Sequence, residues 1–206
     1  MRIITLSREF GSGGRELARR LADELGLSYY DNEIIQEIAA SENLDADYVA
    51  RTLEKGIRWN MPIHYAHSFI PAPSSVGAPQ LLAAQHNIIL KLAPKGDCII
   101  VGRAADVILR EYNPFRIFVY ADMEQKLLRC RTHMRPDEVD MTDKEFEKRI
   151  KQVDKRRASS YALVSDTAWG DRRGYDLCVN TTNYEIKEIA PLVAEFAKLH
   201  FENNGK

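Results

Sequence analysis

Cysteine is scarce in this chain and never closely paired. Three occur in 206 residues, Cys98, Cys130 and Cys178, with no CxxC among them. That argues against a disulfide framework and predicts three reduced, mostly packed thiols in a reducing compartment. Excess charge is also missing. The formal net charge is −1, so nothing drives the whole molecule toward nucleic acid or an anionic membrane, and any basic function must be local. Long apolar runs are absent: no window approaches ~18 consecutive apolar residues. The opening MRIITLSREF has too short an apolar run for a signal peptide and no small-residue cleavage site. A cytoplasmic protein is expected. There is no GxSxG elbow, which leaves a Ser-His-Asp hydrolase unsupported.

What is present is one domain's worth of alternating pattern. The β-branched run at 2–6 reads as a buried strand. After Arg15 the period changes: Leu17, Leu21 and Leu25 lie four apart, and Gly26 ends that helix. LSYYD reads as a second strand, with Asp31 placed to cap the helix NEIIQEIAASE. Helical patterns return at 44–56, 78–96, 122–135 (with Asp122 as cap), 141–165 and 183–201, the last kinked near Pro191. DCIIVGR, FRIFVYA and YDLCVNT are the remaining strands. Residues 57–78 mix Pro62, Pro71 and Pro73 with Trp59, Tyr65 and Phe69, a long loop over a binding face. Strands alternating with helices predict an α/β fold: a parallel sheet with helices on both faces.

The stretch ITLSREFGSGGRELARRL carries the chemistry. Gly11, Gly13 and Gly14 fall between the first strand and an amphipathic helix. There the first helical N–H groups lack internal partners, the helix dipole favours an anion, and glycine lets backbone approach phosphate oxygens. A tight turn packed for steric reasons would show the same glycines. Two nucleotide motifs compete. The dinucleotide fingerprint GxGxxG needs glycine where Glu16 stands, although Asp31 is well placed for a ribose. The mononucleotide motif GxxxxGK[ST] needs a lysine and a hydroxyl after its last glycine, but here Arg8 replaces the first glycine and Gly14-Arg15-Glu16 follows Gly13.

Arginines favour the second motif. Val101-Gly102-Arg103 ends the third strand, and a side chain there reaches the crevice where α/β folds bind ligands. Its guanidinium fork suits phosphate, or a neighbouring carboxylate. Between 142 and 161 lie Lys144, Lys148, Arg149, Lys151, Lys155, Arg156 and Arg157. Taken alone they read as a solvated helix with i,i+4 pairs. Bunched with Asp154, Arg149, Arg156 and Arg157 instead suit a phosphoryl-transfer site, for which a dehydrogenase has no use.

Taken with VDKRR, CIIVGRAADVIL, FRIFVYADMEQKLLRCRTH and YDLCVNTTNYEIKEI, the glycine loop makes the chain resemble the cytidylate kinase-like family of P-loop nucleoside monophosphate kinases over nearly its whole length. The resemblance implies a single domain, residues 1–206, built on a five-stranded parallel sheet. It implies a monophosphate-binding segment near 32–95 and a lid near 135–172. It implies transfer of the ATP γ-phosphoryl, with Mg²⁺, to a nucleoside monophosphate, plausibly a pyrimidine one. Gly11, Ser12, Gly13, Gly14 and Arg15 would hold ATP, with Arg149 and Arg156. Asp31, Arg103, Arg131, Asp154 and Arg157 would meet the acceptor, and Arg15, Arg103 and Arg157 would neutralise the moving group. No nucleic acid or membrane partner is implied, and the oligomeric state is left open. The same fold could also grip a nucleotide without transferring anything.

The departures are specific. Gly14 stands where a true cytidylate kinase has its lysine, and Glu16 where it has a magnesium-binding threonine. Val101 replaces an aspartate. Arg15 is the candidate substitute for the lysine, and Glu16 or Asp31 for the metal ligand, while Glu16 could equally pair with Arg20. His64 and His67 form an HxxH with no carboxylate or thiol nearby, a weak metal pattern. Trp169 is expected to anchor a loop, and Arg172 and Arg173 to lie in solvent or against a base.

Overall fold

A computed structural model of the chain describes residues 1–55, 77–134 and 138–204. The loop expected at 57–78, with His64, His67, Trp59, Tyr65 and Phe69, lies outside the described residues except for its last two positions.

Five short strands carry the fold: β1 (Ile3–Arg8), β2 (Ser28–Tyr30), β3 (Cys98–Val101), β4 (Phe115–Tyr120) and β5 (Leu177–Asn180). All neighbours are parallel, in the order β2-β3-β1-β4-β5. Parallel pairing needs crossovers, and the helices supply them. These are α1 (Gly14–Leu25), α2 (Asn32–Glu42), α3 (Ala46–Lys55), α4 (Ala78–Leu92), α5 (Ala105–Ile108), α6 (Met123–Thr132), α7 (Asp143–Tyr161) and α8 (Ile186–Asn204).

The pleat divides β1 between two cores. Ile4 and Leu6 join Ile99, Val101, Ile117 and Val119 under α1 and α8, where Leu17, Leu21 and Ala194 are fully buried. Ile3, with Cys98 and Ile100, faces the other way onto α2, α3 and α4 through Ile34, Ile38, Leu81 and Ile89. Each such side chain removed from water contributes roughly 1.5–3 kcal/mol. Both faces of the sheet are thereby covered, as a parallel sheet requires.

Register places the site. Leu6 is level with Val101, and the Gly102 N–H extends that ladder by donating to the Leu6 carbonyl at 2.9 Å. The chain leaves β3 through three successive left-handed residues, Gly102 (φ +73°), Arg103 (+62°) and Ala104 (+51°). Non-glycine residues hold that conformation only where their surroundings impose it. Arg8, at the end of the central strand β1, and Arg103, just past its neighbour β3, therefore sit near each other at the carboxyl edge of the sheet.

Several local expectations change. Asp31 precedes α2, but its side chain makes no cap bond, because it is engaged by arginines. Asp122 makes none at α6 either. α8 runs through Pro191 as one helix. Cys178 is exposed on β5 rather than packed; Cys98 is buried and Cys130 half-buried. Trp169 packs edge-on to Phe118 at 5.3 Å, and Arg172 and Arg173 are exposed.

Candidate functional site

The loop from Glu9 to Gly14 turns back over the end of β1. Gly11 and Gly13 have φ of +78° and +80°, which glycine adopts without a Cβ penalty. Their missing side chains are required by the protein itself. A Cβ on Gly13 would fall 2.6 Å from Ile186 Cδ1, and one on Gly11 3.0 Å from the Lys126 carbonyl. The loop is thus pressed against α6 and α8. Thr181 Oγ1 donates to the buried Ser12 carbonyl at 2.7 Å, while the Ser12 hydroxyl donates to the Glu9 carbonyl at 2.9 Å. So held, the loop leaves the N–H groups of Gly11, Gly13, Gly14, Arg15 and Glu16 with no acceptor among the described residues. These amides at a helix N-terminus fit a polyphosphate.

Gly14 explains the missing lysine. A Cβ at that position would lie 2.5 Å from Arg8 Cβ and 3.0 Å from Arg8 Cγ. The pleat puts Arg8 on the same face of β1 as Leu6, facing the first turn of α1. Its guanidinium then passes over Gly102, where an added Cβ would meet Nη1 at 1.9 Å. An arginine at 8 and glycines at 14 and 102 are therefore one packing solution.

Arg8 ends beside Asp31, with Nη2 3.6 Å from Oδ1. Arg15 Nε lies 2.5 Å from the other oxygen of Asp31, and the Tyr29 hydroxyl is 3.4 Å from that same oxygen. Asp31 is buried, whereas Arg15 is 62% exposed. Burial first, then the positive charge of Arg157, pushes the Arg8 guanidinium down to about 9; Asp31 opposes the shift, and Arg103 and Arg15 add to it. Two guanidinium groups thus share one carboxylate, and two more lie close enough to act on Arg8. Arginine resists deprotonation in proteins, so at neutral pH the shift registers as an electrostatic cost.

α7 closes over the loop from the other side. Asp154 Oδ1 accepts from the Phe10 N–H at 2.7 Å, and Arg157 Nη1 donates to the Arg8 carbonyl at 2.9 Å. Arg157 and Arg149 both lie over the Phe10 ring, at 5.8 and 6.0 Å from its centre. Arg149 also pairs with the buried Glu138. Arg156, the neighbour of Arg157, is half-buried.

Two sequence candidates are engaged elsewhere. Arg131 donates to Asp143 at 2.6 Å and lies over Phe146. Its neighbour Arg129 reaches the loop instead, bonding the Ser12 carbonyl at 3.4 Å and the Thr181 carbonyl at 2.8 Å. Glu16 accepts from Arg20 Nε at 2.8 Å. Among the described residues no three acidic, histidine or cysteine side chains form a metal-binding group, and both oxygens of Asp31 carry arginine. The residues present therefore do not fit a protein-built Mg²⁺ site, Glu16 included. Arg8, Lys126 and Arg129 were not among the sequence candidates. The signal for Arg8 was its place at a strand's carboxyl end, the argument already applied to Arg103.

With this geometry in view, comparisons place the chain. The model of the cytidylate kinase-like family matches residues 3–183, and the chain belongs to that family. An uncharacterized protein from Eubacterium ventriosum ATCC 27560 is 22% identical, with a TM-score of 0.68 over 96% of this chain and 99% of that one. Shikimate kinase from Bacteroides thetaiotaomicron is 15% identical (TM-score 0.59, 96% and 98% covered). Shikimate kinase from Acinetobacter baumannii, in complex with shikimate, is 16% identical (TM-score 0.56, 100% and 96% covered). At these identities the likeness establishes the fold, that of the P-loop kinases. No curated protein matches the sequence. No helix among the described residues is long and apolar enough to cross a membrane.

Proposed function

We propose that this cytidylate kinase-like chain transfers the γ-phosphoryl of ATP to a nucleoside monophosphate, a pyrimidine nucleotide being the acceptor the family implies. The observation that carries the reading is an arginine cluster at the carboxyl end of β1: Arg8 and Arg15 share the buried carboxylate of Asp31, and the charges of Arg157 and Arg103 bear on Arg8. Phosphoryl transfer needs little covalent help from protein; it needs positioning and neutralisation of the phosphate charge. The open amides from Gly11 to Glu16 would hold the donor. The arginine cluster would hold the acceptor phosphate, with Asp31 orienting Arg15 and Arg8. Arg149, Arg156 and Arg157 on α7 would cover the transferring group, residues 135–172 acting as the lid and 32–95 as the acceptor segment of one domain. Mg²⁺ commonly keeps its waters and binds through substrate phosphates, so it would arrive with the nucleotide. A cytoplasmic setting belongs to the same reading.

One observation favours a second reading, nucleotide binding without transfer. Gly14 and Glu16 stand at the lysine and threonine positions, and Glu16 is spent on Arg20. Incubation with Mg²⁺-ATP and each nucleoside monophosphate in turn, with shikimate as a further acceptor, separates the two. ADP and a nucleoside diphosphate are expected, and Arg157→Ala lowers turnover by about tenfold or more. ATP binding with no turnover on any acceptor selects the second reading. Turnover on shikimate alone moves the acceptor class, and binding of NAD but not ATP removes both readings.

A further inference from the structure

One buried cation at the loop pairs with carboxylates other than Asp31. Lys126, on α6, is 7% exposed along its side chain. Its ammonium lies 2.5 Å from Glu9 Oε2 and 3.6 Å from Asp154 Oδ2. The other oxygen of Asp154 accepts the Phe10 N–H at 2.7 Å, and Arg157 Nη1 lies 3.8 Å from it. A carboxylate borne by α7 is thus held by a loop amide, an ammonium and a guanidinium. Those three donor types also bind a phosphate. Asp154 is itself poorly placed as an anion: burial raises its carboxyl above the ordinary range, and Glu9 adds to that.

Position 14, meanwhile, cannot hold a lysine while Arg8 is present. The backbone of Lys126 packs on Gly11, so its side chain is delivered to the loop by the contact that shapes the loop. We propose that Lys126 supplies the phosphate-binding ammonium that position 14 cannot, and that Asp154 holds the place of a nucleotide phosphate group until nucleotide binds. This rests on the reading of the loop as an ATP site and adds which residues meet the phosphates. A triphosphate displaces the Asp154 carboxylate from the Phe10 amide, and Lys126 passes from carboxylate to phosphate.

The test is titration calorimetry with ATP, with and without Mg²⁺, on the full chain and on Lys126→Met, Lys126→Arg and Asp154→Asn, with melting temperatures in parallel. Lys126→Met is expected to weaken ATP by about tenfold or more, and Lys126→Arg to recover most of that loss. Asp154→Asn, which keeps the side chain's shape and removes its charge, is expected to tighten ATP several-fold. A purely structural Lys126–Glu9 pair predicts a lower melting temperature for Lys126→Met with ATP affinity unchanged, and that result overturns the proposal. Weaker ATP binding by Asp154→Asn overturns it too, because Asp154 would then act with the nucleotide rather than in its place. Asp154→Asn keeps the question open to measurement should Lys126→Met fail to fold. ATP binding by the wild type with both variants unchanged sinks this proposal alone, whereas no binding by the wild type sinks the ATP reading with it.

Discussion

Arg8 bears the clearest conflict between stability and use. Its guanidinium is buried against Gly102, faces three other arginines and shares one carboxylate with Arg15. Breaking a buried ion pair usually destabilises a fold, but here Asp31 keeps Arg15 at 2.5 Å when Arg8 is gone. An apolar side chain of similar length then removes like-charge repulsion and desolvation together, an exchange that is often neutral or stabilising by ~1–4 kcal/mol. Arg8→Met is therefore expected to raise the melting temperature of the ligand-free protein by a few degrees. The same variant should lose most of its affinity for a nucleoside monophosphate, the trade expected where a site is kept strained for function. Differential scanning calorimetry and a binding titration on one sample decide the matter. A variant that melts lower and binds as before would show Arg8 to be a structural strut.

α7 has a different anchor at each end and one in the middle. A reciprocal cap between Thr142 and Glu145 opens it, Asp154 and Arg157 fasten it to the glycine loop, and Tyr161 closes it. The Tyr161 hydroxyl donates to Asp106 Oδ2 of α5 at 2.6 Å, in a buried setting. Burial pushes the Asp106 carboxyl above its usual range, against the Tyr161 bond, two main-chain N–H groups and Arg116. A carboxyl raised in the folded state adds stability that is complete below its unfolded value, ~3.9, and is lost as pH rises through the folded value. At neutral pH the ionised Asp106 is thus a liability that the asparagine isostere lacks. Asp106→Asn is expected to raise the melting temperature at pH 7, with the gain shrinking toward pH ~4. Melting curves across that range check it; a loss at pH 7 would mean that the Tyr161 bond to the anion outweighs the burial cost. Which residues meet at such contacts was hard to read from the sequence. Arg129 and Arg131 lie about 200° apart around a helix, so only one of them could face the loop, and periodicity did not say which. Asp31 fitted a helix cap, a ribose partner and a metal ligand equally well, until the sheet brought Arg8 and Arg15 to it.

For the molecule as a whole, the alternation of β-branched runs with amphipathic helices made the parallel sheet legible, because each pattern admits one way of burying its apolar face. The same reasoning put Arg103 at the crevice. It did not reach the coupling of position 8 to positions 14 and 102, which exists only once β1, β3 and α1 share a face. The resulting site draws on the ends of β1, β2 and β3 and on α1, α6 and α7, so a ligand filling it would bridge both cores. A nucleotide spanning donor and acceptor positions, adenosine joined through a phosphate chain to a second nucleoside, should stabilise the chain as one unit. At about 100 times its dissociation constant the gain is ~2.7 kcal/mol, or roughly 5–10 °C for a chain of this size. The calorimetric transition should move as a single peak, since both faces of the sheet pack on the same five strands. Inorganic phosphate alone, meeting only part of the cluster, should shift it less at the same multiple of its own constant only if its binding leaves part of the sheet free to open. A peak that splits, with one component left at the ligand-free temperature, would show that the ligand is held on one side of the sheet and that the arginines from β1, β3 and α7 do not act together.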